Sequence, residues 1–416
     1  MAAQNDRRVV ITGLGVLSPI GIGRKEFWSN LIKGKNGVKE IKSFNTSRYR
    51  THKGGEVKDF NPGKFIKKVK LPSFCRSAQL ALSAARLAID DAGLKEHDLS
   101  WDKNRTGVII GSTTVDPRLG EKYALVWAKR GYKNTPKNTI HNVNVDFLTV
   151  GPACCICSEF SISGLSLSLP AACAAGNYTI GYAFDLVESG RLDIVIAGGT
   201  DPMNQLVFGG FNSFLAMDPE KCRPFDLKRK GLVVSEGSGV VVLEELGHAK
   251  KRGADVYAEV LGYGFNCDAY HTTGFHPDGL GAVRAAEMAF TRAQISPDDI
   301  DYINAHGTAT SLNDKIETRA IKKIFGRRAK KIPVSSIKSM IGHTMGAASA
   351  IEAVACAMVV KEDIIPPTIN YHTPDPECDL DYVPNVARRQ KVNTVLSNSF
   401  GFGGYVGMLL IGKFNG

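Results

Sequence analysis

The 416-residue chain has no apolar run approaching the ~20 residues that a membrane-spanning helix needs, which excludes a helical membrane protein. Its first residues, Met1 to Arg8, are polar and lead straight into a strand pattern, so no secretory leader is expected. Regular cysteine spacing is missing as well. The nine cysteines are odd in number and unevenly placed, which predicts reduced thiols in a cytoplasmic protein rather than a disulfide framework. Cys154 and Cys157 have the spacing of half a zinc site, but no second Cys or His pair follows to complete four ligands. That stretch reads as buried apolar structure, and no metal is expected. The formal charge of +11 comes without a nucleic-acid-reading motif, and the basic residues are dispersed, so nucleic acid is not an expected partner. A hydrophobic content of 43% with 22% charged residues supplies an ample core for a soluble protein of one or two domains.

What is present centres on Cys173. The run Leu167-Ser168-Leu169-Pro170-Ala171-Ala172-Cys173-Ala174-Ala175-Gly176 brings an apolar segment to a cluster of small residues. A helix is predicted from Ala174 to about Glu188, with Ile180, Ala183, Phe184 and Val187 at helical spacing. A thiol at that junction lies at a helix N-terminus, where unpaired N–H groups and the macrodipole stabilise a thiolate. Two histidines follow in glycine-flanked loops, His306 in Asn304–Thr308 and His343 in Ile341–Thr344. One cysteine with two remote histidines points to nucleophilic acyl transfer.

Element order shows one pattern twice. Strands at Val9–Val16, Thr106–Ile110, Ile194–Ala197 and Gly239–Glu244 alternate with helices around Ala78–Ala92 and after Cys173. A second series has strands at Val256–Tyr263, Ile300–Asn304, Pro333–Ile337 and Tyr405–Ile411, with helices around Ala282–Ala293 and Ala347–Val360. The alternation predicts an α/β fold with largely parallel sheets covered by helices, divided into halves 1–255 and 256–416.

The segments Tyr302–Thr308 and Ser336–His343, with the opening Arg8–Gly15 and the tail Asn398–Gly404, resemble β-ketoacyl-acyl carrier protein synthases, condensing enzymes of the thiolase-like superfamily. The similarity covers nearly the whole chain and lies between synthase II of fatty acid synthesis and the ketosynthase α subunit of type II polyketide synthases. It implies a five-layer αβαβα fold of two pseudo-symmetric halves, with Cys173 and Ala347 beginning paired buried helices. It implies Cys173 as acyl acceptor, with its N–H and that of Phe402 as oxyanion hole. His306 and His343 would stabilise the enolate, and Lys338 would join the catalytic set as a buried charge paired with Glu352. Thr308 and Thr310 would bind the phosphopantetheine arm, and Phe402 would act as a gate. No cofactor is implied beyond the arm of the acyl carrier protein. Since such carriers are acidic, Lys64, Lys67, Lys68, Lys70 and Arg76 read as a docking face. The implied assembly is a homodimer, or a heterodimer with a ketosynthase-like chain-length-factor subunit.

Some segments depart from the synthase II pattern. The glycine-rich acyl-pocket loop is replaced by Gly111-Ser112-Thr113-Thr114-Val115-Asp116, with Thr114 at the isoleucine position and Thr113 beside it. Leu71–Cys75 replaces a basic docking stretch, and His271–Gly279 and Asn313–Thr318 look like ketosynthase α subunits. Ser397–Gly404 looks like synthase II. The polar loop suits a keto-bearing or conjugated chain better than an alkyl tail, so a polyketide or polyene ketosynthase is expected, with housekeeping synthase II as the alternative. Residues 112–167 would form the cap and dimer contact. A degradative thiolase would need a second cysteine in the C-terminal loop, and none lies between Asp379 and Gly416.

Overall fold

The computed structural model describes residues 7–69, 76–95, 101–114, 116–131 and 151–416. In the first half, β1 (Val9–Ser18), α1 (Arg76–Asp91), β2 (Thr106–Gly111) and β3 (Ser166–Leu169) are followed by α2 (Ala175–Glu188), β4 (Ile194–Asp201) and β5 (Gly237–Glu245). The second half contains β6 (Ala258–Cys267), α3 (Leu280–Ala293), β7 (Tyr302–Asn304), α4 (Ser311–Phe325), β8 (Val334–Ser335), α5 (Ala348–Glu362), β9 (Thr394–Gly401) and β10 (Tyr405–Gly412). The strands lie side by side as β3-β2-β4-β5-β1 and then β6-β10-β9-β7-β8. Each set of five therefore has the same order, third-second-fourth-fifth-first, mirrored about the middle. The join is short: residues 9–11 pair antiparallel with 258–260, and a bulge between Ile11 and Gly13 then turns β1 away.

Parallel pairing is confined to the outer strands, β2 with β3 and β4, and β7 with β8 and β9. Every pairing nearer the middle is antiparallel. The sheet is thus mixed rather than largely parallel. The alternation of elements does not reveal this, because it leaves open which strands become neighbours: β5 lies between β4 and β1, antiparallel to both, and β9 is absent from the predicted strands. Only three residues separate it from β10, and so short a connection can make only a hairpin.

Helices α2 and α5 pack against each other and against strands of both halves, forming the central layer, while α1 and α3 cover the outer faces. This is the thiolase-like layering. From Ala348 to Val360 every residue of α5 is buried, and all but Ser349 and Glu352 are apolar, as suits a core helix. The two central helices approach closely where a Cβ on Gly176 would lie 2.3 Å from the Ala350 backbone nitrogen. Small residues at the starts of α2 and α5 permit that contact.

The segment 112–167 is more regular than its sequence suggests, with helices Arg118–Arg130 and Gly151–Phe160 ahead of β3. Within the second of these, Ala153, Ile156 and Phe160 are buried but Cys154 is exposed, so the cysteine-rich stretch is amphipathic rather than wholly buried. Lys70, Leu71–Cys75, Val115 and residues 132–150 lie outside the described residues. No helix among the described residues is long and apolar enough to cross a membrane.

Candidate active site

Cys173 occupies a 3-10 turn, Ala172–Ala174, between β3 and α2. Ala172 holds φ at +46°, a left-handed conformation that a non-glycine residue adopts only where the surroundings impose it. The second half repeats the device. Met345, at φ +52°, opens the turn Met345–Ala347 into α5, and Gly346 stands where Cys173 stands in the first half. The nucleophile candidate thus belongs to one of two related turns, and only one carries a thiol.

His306 follows β7, and its loop is pinned by a buried carboxylate. Glu317 of α4 accepts from the backbone N–H groups of His306 and Gly307, each at 2.8 Å, and from the Asn398 side chain at 3.1 Å. His343 lies in the loop before α5, where its own N–H donates to the Val233 carbonyl at 2.7 Å. The two imidazoles stand edge to face, 5.4 Å between centroids, and His306 packs at 5.5 Å against Phe400 of β9.

The nitrogen partners fix how each ring can act. The Met345 N–H donates to Nδ1 of His343 at 3.3 Å. Nδ1 of His306 faces the Lys338 ammonium at 3.4 Å, and Lys338 is ion-paired with Glu352. An ammonium can only donate, so both Nδ1 atoms are acceptors and both protons reside on Nε2. Burial, and after it the nearby Lys338 charge, holds both histidines well below the ordinary imidazole range. Neutral rings with Nε2–H donors result. Lys338 and Glu352 are fully buried; burial pushes the Glu352 carboxyl up, and the Lys338 charge pulls it back.

Cys173, His306, His343 and Phe402 line one cavity of about 420 Å³, together with Thr308 and Thr310. The thiol is buried, and burial pushes it up to about 12, against the opposing pull of Lys338. Burial thus opposes the thiolate that a helix start favours. Phe402 is exposed at the tip of the β9–β10 hairpin, packed 5.7 Å from Phe211, with Gly403 and Gly404 at φ +86° and +81° behind it. A Cβ on Gly401 would lie 3.2 Å from the Cys173 nitrogen, so the missing side chain lets this hairpin approach the turn. Thr310 also caps α4, accepting from the Asn313 N–H, and its hydroxyl meets that of Thr308 at 3.0 Å.

Other residues fall elsewhere. Lys64, Lys67 and Lys68 are exposed, on a loop whose backbone N–H groups at Lys67, Lys68 and Val69 donate to buried Glu159. Arg76 does not join them. It is committed to Glu236 through two hydrogen bonds of 2.8 and 2.6 Å, and it stacks over Phe60. Thr113 and Thr114 are half-buried, and Thr114 Oγ1 has no hydrogen-bond partner. Asp116 is paired with Arg118 at 2.8 Å and accepts from the Ser77 N–H, so it is not free to meet a substrate.

Two carboxylates here escaped the sequence reading. Asp201, at the end of β4, accepts from Ser112 Oγ, the Thr113 N–H and the Gly346 N–H, tying the Ser112–Thr114 loop to the turn beside His343. Glu317 is the other. Both carry a faint sequence signal, a carboxylate at a strand end after two glycines and one on the apolar face of a helix.

Comparison with known proteins agrees with this constellation. The Beta-ketoacyl synthase N-terminal domain matches residues 6–249, and the Beta-ketoacyl synthase C-terminal domain matches residues 257–372. The chain is 41% identical to 3-oxoacyl-[acyl-carrier-protein] synthase 2 of Synechocystis sp., covering all of both chains. It is also 41% identical to the tetracenomycin polyketide synthase ketoacyl synthase alpha subunit of Streptomyces glaucescens, over 97% of each. Among solved structures, the ishigamide ketosynthase/chain length factor superposes with a TM-score of 0.93 at 38% identity, over 98% of this chain and all of that one. By sequence along its whole length, by fold and by the residues its cavity gathers, the chain belongs to the beta-ketoacyl synthase family of condensing enzymes.

Proposed function

We propose that this ketosynthase joins a Cys173-bound acyl chain to a malonyl group on an acyl carrier protein, within a type II polyketide pathway. The observation that carries the chemistry is the pair of neutral Nε2–H donors, His306 and His343, in one cavity with Cys173. In the first step Cys173 sulfur attacks the carrier thioester, its proton passes to the departing phosphopantetheine thiol, and the acyl group moves to Cys173. The N–H groups of Cys173 and Phe402 serve as the oxyanion hole, a kind of preorganised donor worth about 3–4 kcal/mol. Malonyl thioester then enters. Loss of carbon dioxide leaves the bond electrons on the thioester as an enolate, whose oxygen accepts from the two Nε2–H groups. The enolate carbon attacks the Cys173 thioester, the C–S bond breaks, and Cys173 takes up one proton. A thiol pushed up to about 12 favours that last uptake.

Lys338 positions His306 rather than reacting. Thr308 and Thr310 hold the phosphopantetheine arm, and Lys64, Lys67 and Lys68 meet the carrier protein. Phe402 is the gate between acyl and malonyl entry, with Gly403 and Gly404 supplying the backbone freedom. The catalytic unit is a dimer, with a second copy or with a chain-length-factor-like partner such as that of the ishigamide ketosynthase/chain length factor.

The polyketide assignment rests on the polar Thr113–Thr114 loop and the unpartnered Thr114 hydroxyl. The equal 41% identities to a synthase 2 and to a polyketide alpha subunit favour neither pathway. The test is to express the chain alone and supply malonyl carrier protein with a medium-length saturated acyl primer. Little elongation without a partner subunit is expected. Efficient elongation to long saturated chains by a homodimer would instead assign it to fatty acid synthesis.

A further inference from the structure

The cavity around Cys173 holds one charged side chain among its described lining residues, and it is not one of the catalytic set. Lys230 lines the cavity, is exposed, and has no ion-pair or hydrogen-bond partner among the described residues. No carboxylate lines the cavity with it, and both lining histidines are neutral. The surrounding entrance is apolar: Phe214, Leu215 and Leu312 are 63%, 64% and 54% exposed, whereas Cys173 beneath is 8% exposed. An unbalanced positive charge therefore stands at the mouth.

Its base is rigid. The preceding Arg229 is buried, donating to Asp375 at 2.6 Å, to the Asp226 carbonyl at 2.9 Å and to the Thr310 carbonyl at 3.3 Å. The following Gly231 sits so close to the Ala216–Met217 segment that a Cβ would lie 2.2 Å from the Ala216 oxygen. Leu232 donates its N–H to that same Ala216 oxygen at 2.9 Å and accepts from the Asp218 N–H at 3.0 Å. Backbone on both sides is thus held, and Lys230 reaches the opening from a fixed point, with only its own side chain free to adapt.

We propose that Lys230 binds the phosphodiester of the carrier's phosphopantetheine arm at the cavity mouth. The inference rests on the carrier-linked substrate proposed above. Two anions are available in that substrate. The malonyl carboxylate is one methylene from the thioester carbonyl and so lies by His306 and His343, both buried. The phosphodiester is at the far end of the arm, outside, where Lys230 stands. A lysine on a flexible stem suits it as a point charge against phosphate oxygens.

The experiment compares 4'-phosphopantetheine thioesters with pantetheine thioesters lacking the phosphate, for malonyl decarboxylation and for acyl loading. Lys230→Met should cut the ratio of kcat/KM between the phosphorylated and unphosphorylated substrates about threefold to tenfold in both reactions, as for a half-exposed charge pair. Lys230→Glu should cut it further, and Lys230→Arg should keep most of it. An unchanged ratio in the Met and Glu variants overturns the proposal. So does a loss confined to malonyl substrates with and without phosphate alike, which would place the carboxylate on Lys230. Dissociation constants for non-reactive amide analogues of the two arms give the same ratio without turnover. A wild-type enzyme that fails to condense yet keeps the Kd ratio would sink the ketosynthase reading and leave the anion site standing.

Discussion

Replacing Lys338 with Met separates two roles that one side chain combines. Lys338 and Glu352 form an ion pair with no solvent exposure, so Lys338→Met strands a carboxylate in the core. Breaking a buried pair in this way costs about 3–5 kcal/mol. With an unfolding entropy of roughly 2.1 cal/mol/K per residue, a chain of this length loses about 3–6 °C in Tm. Adding Glu352→Leu removes the stranded charge, and the double variant should melt close to the wild type, since an apolar pair of similar volume often replaces a buried ion pair without loss. Activity should not follow stability. Without the ammonium at 3.4 Å, Nδ1 of His306 loses its one donor among the described residues, and the ring is free to carry its proton there and turn an acceptor toward the enolate. Malonyl decarboxylation, read as carbon dioxide release, should fall by about 100-fold in both variants, the scale of one lost oxyanion donor. Recovery of both stability and decarboxylation in Lys338→Met/Glu352→Leu would refute the positioning role and leave Lys338 a core charge only.

Cys173→Gln should abolish condensation while malonyl decarboxylation persists or rises, because the amide imitates an acyl-loaded cysteine; a loss of both would falsify the division of labour between Cys173 and the histidines. Conversely, His306→Ala and His343→Ala should lose decarboxylation yet load some acyl group on Cys173, as read by mass spectrometry of the intact protein, and normal decarboxylation by either variant removes that histidine from the enolate site. Alkylation of Cys173 by iodoacetamide should climb with each pH unit from 8 to 10, since the thiol is pushed up to about 12, and a rate already level at pH 8 would show a stabilised thiolate instead. The two buried histidines should lower stability between about pH 6.5 and 5. Native His306 and His343 stay neutral there, while the unfolded chain protonates both near the ordinary value of 6.5. These two groups alone give a slope of up to about 2.7 kcal/mol per pH unit below the unfolded value, opposed by Glu352 and Asp201, whose carboxyls burial pushes up to about 7 and about 6. Urea titrations of the wild type and of His306→Asn/His343→Asn across that window isolate the histidine contribution, and equal pH slopes in the two proteins contradict neutral histidines.

The sequence by itself determined the elements whose pattern is local. Helices after Cys173 and around Ala347 were legible because apolar and small residues recur along them, and the strand at Val9 was legible because it is continuously apolar. Cys173, His306 and His343 were legible as a set because their flanking glycines and alanines mark tight turns rather than element interiors. Tertiary structure alone decided the rest. Strand direction needed the spatial order, since β9 and β10 are joined by a hairpin that their composition hides. The protonation of the site needed burial: a helix start by itself argues for a thiolate, but desolvation at Cys173 opposes it. The same holds for the charges. Arg76 and Asp116 look available in a linear reading, yet each meets a partner, Glu236 160 residues away and Arg118 two residues away. Lys230 looks like one lysine among many until its neighbours show it alone in the cavity. Periodicity and turn chemistry are written in adjacent residues, whereas charge balance and desolvation are sums over everything the fold brings within a few ångströms.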